Sequence, residues 1–248
     1  MDSLSRQRVR RKELWAYFAL AYGLTWAVHN QCWRRTEMET TIQEPPQTDS
    51  VFKRAMWLYG IHSVLNLGAY LLGFYFLPEG LMRGTPAVAV GGAVAKTGSF
   101  WPQLGLTLLW NVGLAAVLVV VLNLTRVKRF PVGYLYPIVM GVFGGLISGT
   151  NSFAASNLTH YNAWEGMALG LSIGGLEMLG YVLVGAATAN LTMEQYRSWW
   201  RWRAEWKPTR IRRFRDLRLT RSEMITLALA LLLFLVAAYR ETAMFFAA

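Results

Sequence analysis

The chain has 248 residues, 54% of them hydrophobic and 16% charged, and 25 Lys and Arg against 14 Asp and Glu give it a formal net charge of +11. Long windows almost free of charge recur along it, which argues against a water-soluble domain and for an integral membrane protein with lipid as its solvent. A single cysteine, Cys32, excludes an intrachain disulfide and a cysteine-based zinc site.

Six windows reach or approach the roughly 20 apolar residues of a spanning helix. Alternating segments of ~10 residues, the mark of a barrel, are absent. The expected fold class is therefore all-α: a polytopic membrane bundle of about six helices in one domain, 1–248, with a basic amphipathic segment, 190–223, lying at the interface.

A tail containing "RQRVRRK" leads into the first window, Leu14–Cys32, which carries Trp15, Tyr17 and Tyr22. It ends in "HNQCW" without a small-residue cleavage site, so a retained helix is expected. The second window, Ala55–Leu77, holds His62 and Asn66 one turn apart. The connection Pro78–Phe100 is rich in Gly, Ala and Val and has no phosphate-cradling pattern, leaving a loop or a shallow re-entrant element open.

The third window, Trp101–Leu124, has Asn111 near its middle. The fourth, Val132–Ser152, contains "GVFGGLISG", in which Gly141, Gly145 and Gly149 form a row at a spacing of four that lets another helix backbone approach closely. "NAWE" opens the fifth, Ala163–Ala189, as a capping box of Asn162 and Glu165. Within it, a step of 100° per residue puts Gly170, Gly174, Glu177, Tyr181, Gly185 and Thr188 within about 80° of one another. Glu177 thus shares a small-residue face expected to look at protein, with the fourth helix as a plausible neighbour.

Asn190–Glu223 holds ten of the 25 Lys and Arg. Trp199, Trp200, Trp202 and Trp206 interleave with Arg201 and Arg203, and Arg212, Arg213 and Arg215 follow. Amphipathic rings beside long basic stems suit a headgroup interface, so anionic lipid is expected as partner rather than nucleic acid. Pro208 is expected to divide the tract into two short helices. The sixth window, Met224–Phe246, spans only if Arg240 and Glu241 reach an interface or find partners.

If all six windows span, seven Lys and Arg lie on one side and seventeen on the other. The positive-inside rule then makes 190–223 cytoplasmic in a plasma (inner) membrane, but it also places the basic N-terminal tail outside, so the side of the N-terminus stays open.

No GxSxG, HExxH or P-loop sequence occurs, and His29, His62 and His160 have no metal-binding spacing. No enzyme activity, cofactor or metal is expected. Two readings of Glu177, Asn111, Asn66 and His62 remain. As packing groups they hydrogen-bond between helices, each bond contributing roughly 0.6–2 kcal/mol; as an ion or proton path, Glu177 titrates and an amide or imidazole relays. The first implies a scaffold or assembly subunit that packs with other membrane proteins, with a homo-oligomer also open. The second implies a permease or channel component.

Residues from about 101 to 191 resemble the core of the stage II sporulation protein M family, multi-span membrane proteins of bacteria and archaea. Asn111 corresponds to an asparagine in one of its helices, "GVFGGLISG" to a glycine helix, and "GGLEMLGYVLVGAATANL" to a His-Gly-x-x-Glu helix that continues through small residues. Gly174 and Glu177 match that last motif. Ile173 stands where the family usually has histidine, and Trp110 where a second asparagine is common. The resemblance implies a non-enzymatic membrane partner, similar to a scaffold that holds peptidoglycan-remodelling proteins at the membrane during sporulation.

Overall fold

The computed structural model describes residues 50–95, 97–153, 163–196 and 208–247. Contacts divide the chain into two units, Met1–Pro45 with Tyr196–Pro208, and Pro46–Gln195 with Thr209–Ala248. Nearly all described residues belong to the second. The window Leu14–Cys32, His29, His160, the cap residue Asn162, and Trp199, Trp200, Arg201, Trp202, Arg203 and Trp206 lie outside the described residues.

The described chain is mostly helical. Helix α1, Val51–Phe76, starts where the Ser50 hydroxyl accepts the Lys53 amide at 3.2 Å. A short α2, Pro86–Ala95, lies within the connection Pro78–Phe100; proline suits its first position because no helical partner awaits that amide. Then come α3, Phe100–Asn123, and α4, Leu135–Gly149, the latter entered through a 3-10 turn at Val132–Tyr134. Helices α5, Ala163–Thr188, and α6, Arg221–Ala247, complete the set. Five of these follow the expected windows to within a few residues.

Among the described residues three helical stretches are long and apolar enough to cross a membrane: Phe100–Asn123, Val132–Gly149 and Arg221–Met244. The fifth window makes a fourth only as a bent pair, Ala163–Ser172 and Gly174–Thr188, inclined at 53°. Among the described residues there are thus three candidate spans, or four if the bent pair is one, where six were expected; the first of the six windows lies outside the described residues. Helix α1 is long enough but is not among these apolar stretches; His62 and Asn66 stand near its middle. The outer faces fit lipid. Leu114, Leu118 and Val121 of α3, and Leu231, Leu232 and Leu235 of α6, are exposed, a density of bare apolar side chains that water would not tolerate.

The closest packing joins α1 to α4, and glycine makes it possible. A Cβ on Gly141 would meet the His62 ring and carbonyl at 2.9 Å; on Gly145 it would strike the Asn66 carbonyl; on Gly149, the Tyr70 carbonyl. The row therefore faces α1. The expected contact between the fourth and fifth windows also exists, where Gly170 abuts Ser148. The apolar core has two parts. One gathers Val51, Ala55 and Leu58 of α1 with Tyr134, Val182 and Ala186. The other gathers Val119 of α3, Tyr181 and Val184 of α5, and Ala230 and Phe234 of α6.

A small four-stranded sheet departs from the all-α expectation. Its strands are β1, Thr125–Val127; β2, Phe130–Pro131; β3, Glu194–Tyr196; and β4, Thr209–Arg210, in the order β2-β1-β3-β4. Strands of two or three residues are too short to show a period of two. Pro131 lies on an edge strand, where its missing amide costs no ladder bond. Beyond Pro208 the chain is strand and then a 3-10 turn, Phe214–Asp216, rather than a second short helix. The sheet ties the end of α3 to the segment after α5, with the Met193 amide donating to the Leu124 carbonyl at 2.7 Å.

Candidate functional site

Glu177 has a partner on another helix. Asn111 Nδ2 donates to Glu177 Oε1, and Asn111 Oδ1 accepts from the Tyr181 hydroxyl at 3.0 Å. One amide thus uses both its ends, joining the carboxylate to the phenol one turn further along α5. The Tyr181 ring meets Tyr136 of α4 at 5.0 Å between centroids and Phe234 of α6 at 4.9 Å, and the two phenols are within hydrogen-bonding reach. Asn111 sits in a π-helical stretch, Leu109–Ala116, whose wider turn re-aims side chains relative to a regular helix. Glu241 of α6 lies within electrostatic reach of both Glu177 and Tyr181. Helices α3, α4 and α5 thereby bring polar side chains to one place, and α6 adds the Phe234 ring.

His62 and Asn66 are not part of it. His62 Nδ1 lies 2.7 Å from the Pro137 carbonyl, which can only accept, so this nitrogen carries the proton. Asn66 Nδ2 donates to the Gly141 carbonyl at 3.0 Å. Both polar side chains of α1 cross to α4 beside the glycine row.

The small-residue face of α5 is divided. Gly185 is covered by Leu58 at 3.3 Å, and Gly180, which lies off the expected face, by Phe234 at 2.7 Å. Around Gly174 and Gly175 no atom of the described residues comes within 4 Å of where a Cβ would stand. These two glycines follow the 53° bend, and a Ser-Gly-rich turn is a common place for a helix to break.

A second polar knot holds the sheet end together. Arg54 Nη2 pairs with Glu223 Oε1 at 2.9 Å, and Arg54 Nε donates to the Ala186 carbonyl at 3.0 Å. Asn190 Nδ2 adds a bond to the same carboxylate at 2.8 Å, and the Thr220 amide one to Glu223 Oε2 at 2.8 Å. Thr220 and Glu223 form a capping box at the start of α6, a pattern legible in "TRSE". Asn123, fully buried, donates to Gly185 O at 2.9 Å and to Thr188 Oγ1 at 2.7 Å.

Of the basic tract, Arg212 Nη1 reaches the Asn190 carbonyl at 3.3 Å and is half-buried. Arg213 and Arg215 are exposed around Phe214, itself 72% exposed. Among the described residues no three His, Cys, Asp or Glu side chains converge as a metal site.

Sequence reasoning did not join Glu241, Tyr136 or the Arg54–Glu223 pair to any site. In the sequence Glu241 is only a charge near the end of a window, and the other two depend on which helices become neighbours. No family model, curated protein or solved structure matches the chain.

Proposed function

We propose that the protein is a non-enzymatic membrane scaffold or assembly subunit, in which the open glycine patch of α5 receives a helix of another membrane protein. The observation that carries the reading is the contrast along α5. Gly170, Gly180 and Gly185 are already filled by the chain's own side chains, whereas nothing described touches Gly174 or Gly175. Small residues that expose backbone on a membrane helix favour close helix contact. The resemblance of 101–191 to a family with a scaffold role points the same way. On this reading the chain crosses the plasma membrane through up to six spans, and the exposed arginines of 190–223 face anionic lipid on the cytoplasmic side.

The test is site-directed photo-crosslinking in intact cells. A crosslinker in place of Gly175 should join the chain to one discrete membrane protein, and one in place of the exposed Leu118 of α3 should not. Lipid adducts alone at both positions would refute the docking patch.

A second reading, a permease or channel component, is favoured by one observation. Glu241 supplies a second acidic group near Glu177, so a cation or proton leaving the first carboxylate has somewhere to go.

A further inference from the structure

We infer that the turn Arg213–Asp216 is a membrane wedge: the Phe214 ring enters the boundary between headgroups and acyl chains, while Arg213, Arg215 and Arg218 hold the phosphates of anionic lipids around it. The inference rests on the reading of 190–223 as facing anionic lipid and adds the inserted ring to it. It does not depend on the glycine patch of α5.

Helix packing confines this part of the chain to one end of the bundle. Helices α3 and α6 run in opposite directions, because Phe100 at the start of α3 meets Tyr239 and Phe246 near the end of α6 at 5.8 and 6.0 Å. Asn123, the last residue of α3, and Arg221, the first of α6, therefore lie at the same end of two stretches apolar enough to cross a membrane. Strand β4 is joined through β3 to β1, which follows α3 directly. The Ile211 amide donates to the Met193 carbonyl at 2.8 Å, and the Arg212 guanidinium to the Asn190 carbonyl at 3.3 Å. On the far side the Thr220 amide bonds Glu223 Oε2 at 2.8 Å. Residues 211–220 thus start and finish at helix ends, at the level of a bilayer boundary.

Within this strip the tip is preformed. The Asp216 amide donates to the Arg213 carbonyl at 3.0 Å, the Leu217 amide to the Phe214 carbonyl at 3.2 Å, and Asp216 Oδ2 accepts the Arg213 amide at 3.3 Å. A turn closed by its own bonds gives up little freedom on insertion. It leaves Phe214 bare between two exposed arginines. At a bilayer boundary such a ring leaves water while basic stems beside it reach back to the phosphates. Charge selects the occupant. Residues 209–221 hold six arginines and one acid, Asp216. Among the described residues Arg213, Arg215 and Arg218 enter no ion pair. Anionic lipid is the polyanion that a membrane-spanning chain meets at this level. An acidic protein surface would answer the arginines and leave the ring in water.

The full chain in nanodiscs supplies the test. In a Cys32-free background, Phe214→Cys carries a small fluorescent label, and its quenching by acrylamide in the water is compared with quenching by lipids bearing a nitroxide on the upper acyl chain. With phosphatidylglycerol in the bilayer, the label should be shielded from acrylamide several-fold and quenched by the nitroxide. Both effects should shrink in pure phosphatidylcholine, at high salt, and when Arg213→Gln, Arg215→Gln and Arg218→Gln are combined. All four positions are exposed, so the variants should keep the wild-type unfolding midpoint. A chain that retains Phe214 reports the charges alone: electron paramagnetic resonance of spin-labelled phosphatidylglycerol should show a protein-immobilised fraction that falls in the triple glutamine variant. If that fraction falls but the label at 214 stays open to acrylamide, the wedge is overturned and the lipid-facing reading stands. If the fraction does not change, both are overturned. Shielding from acrylamide without nitroxide quenching means that protein covers the ring, which overturns the wedge as well.

Discussion

Asn111 is the residue on which the buried polar group turns, because its one amide bonds both the Glu177 carboxylate and the Tyr181 hydroxyl. Removing it leaves two polar groups short of a partner, so Asn111→Ala should lower stability by about 1–3 kcal/mol, the usual cost of orphaning a buried group. Tyr181→Phe removes only one donor and should cost about 1 kcal/mol. Unfolding titrations in mixed micelles check both values; equal, negligible effects would mean that the network holds nothing together. Glu177 and Asn111 were each legible in the sequence as mid-window polar residues. Their pairing was not, because periodicity assigns faces within one helix and says nothing of which faces meet. Glu223 shows the same limit from the other side. Its capping pattern could be read locally, but its pairing with Arg54, 169 positions away, could not. Glu223→Ala should cost about 3 kcal/mol in the same titrations, since it leaves a largely buried guanidinium without its counter-charge.

At the level of elements, the α1–α4 contact is the tightest test of glycine chemistry. In Gly145→Ala the new methyl would run into the Asn66 carbonyl and approach Ala69 Cβ and the Tyr70 amide to 2.9 Å, so the helices must separate. The expected loss is about 1–3 kcal/mol. Gly68→Ala on α1, with nothing described within 4 Å, should be neutral or slightly stabilising, as alanine is the better helix former. Similar losses for the two would contradict the close approach. The glycine row could be recognised from its spacing of four, but the helix it serves could not, because small residues carry no mark of their partner. Hydropathy delivered most helix boundaries within a few residues. The little sheet and the 53° bend escaped it, one because its strands are two or three residues long, the other because the run stays apolar straight through the break.

At the scale of the whole molecule, several basic residues among those described collect at one end. The start of α1, the end of α3, the end of α5 and the start of α6 meet through Arg54, Asn123 and Glu223, and the sheet adds Arg126 and Arg210 there. This end should be cytoplasmic. In a Cys32-free background, a cysteine at position 210 should react with a membrane-impermeant maleimide only after cells are opened; labelling from outside intact cells would invert the orientation. The account as a whole stands on the glycine patch as the place where another membrane protein docks, and one paired comparison addresses it most directly. A Cβ at Gly174 meets nothing described within 4 Å, so Gly174→Leu builds its side chain out into the patch, and Glu177→Gln keeps shape and hydrogen bonding but abolishes charge. The two variants are compared with the wild type by native electrophoresis of mild detergent extracts and by ion flux in proteoliposomes. The account predicts that Gly174→Leu remains folded but loses its complex, while Glu177→Gln keeps it. A complex that survives Gly174→Leu, together with a flux abolished in Glu177→Gln, would contradict the account and leave the permease in its place.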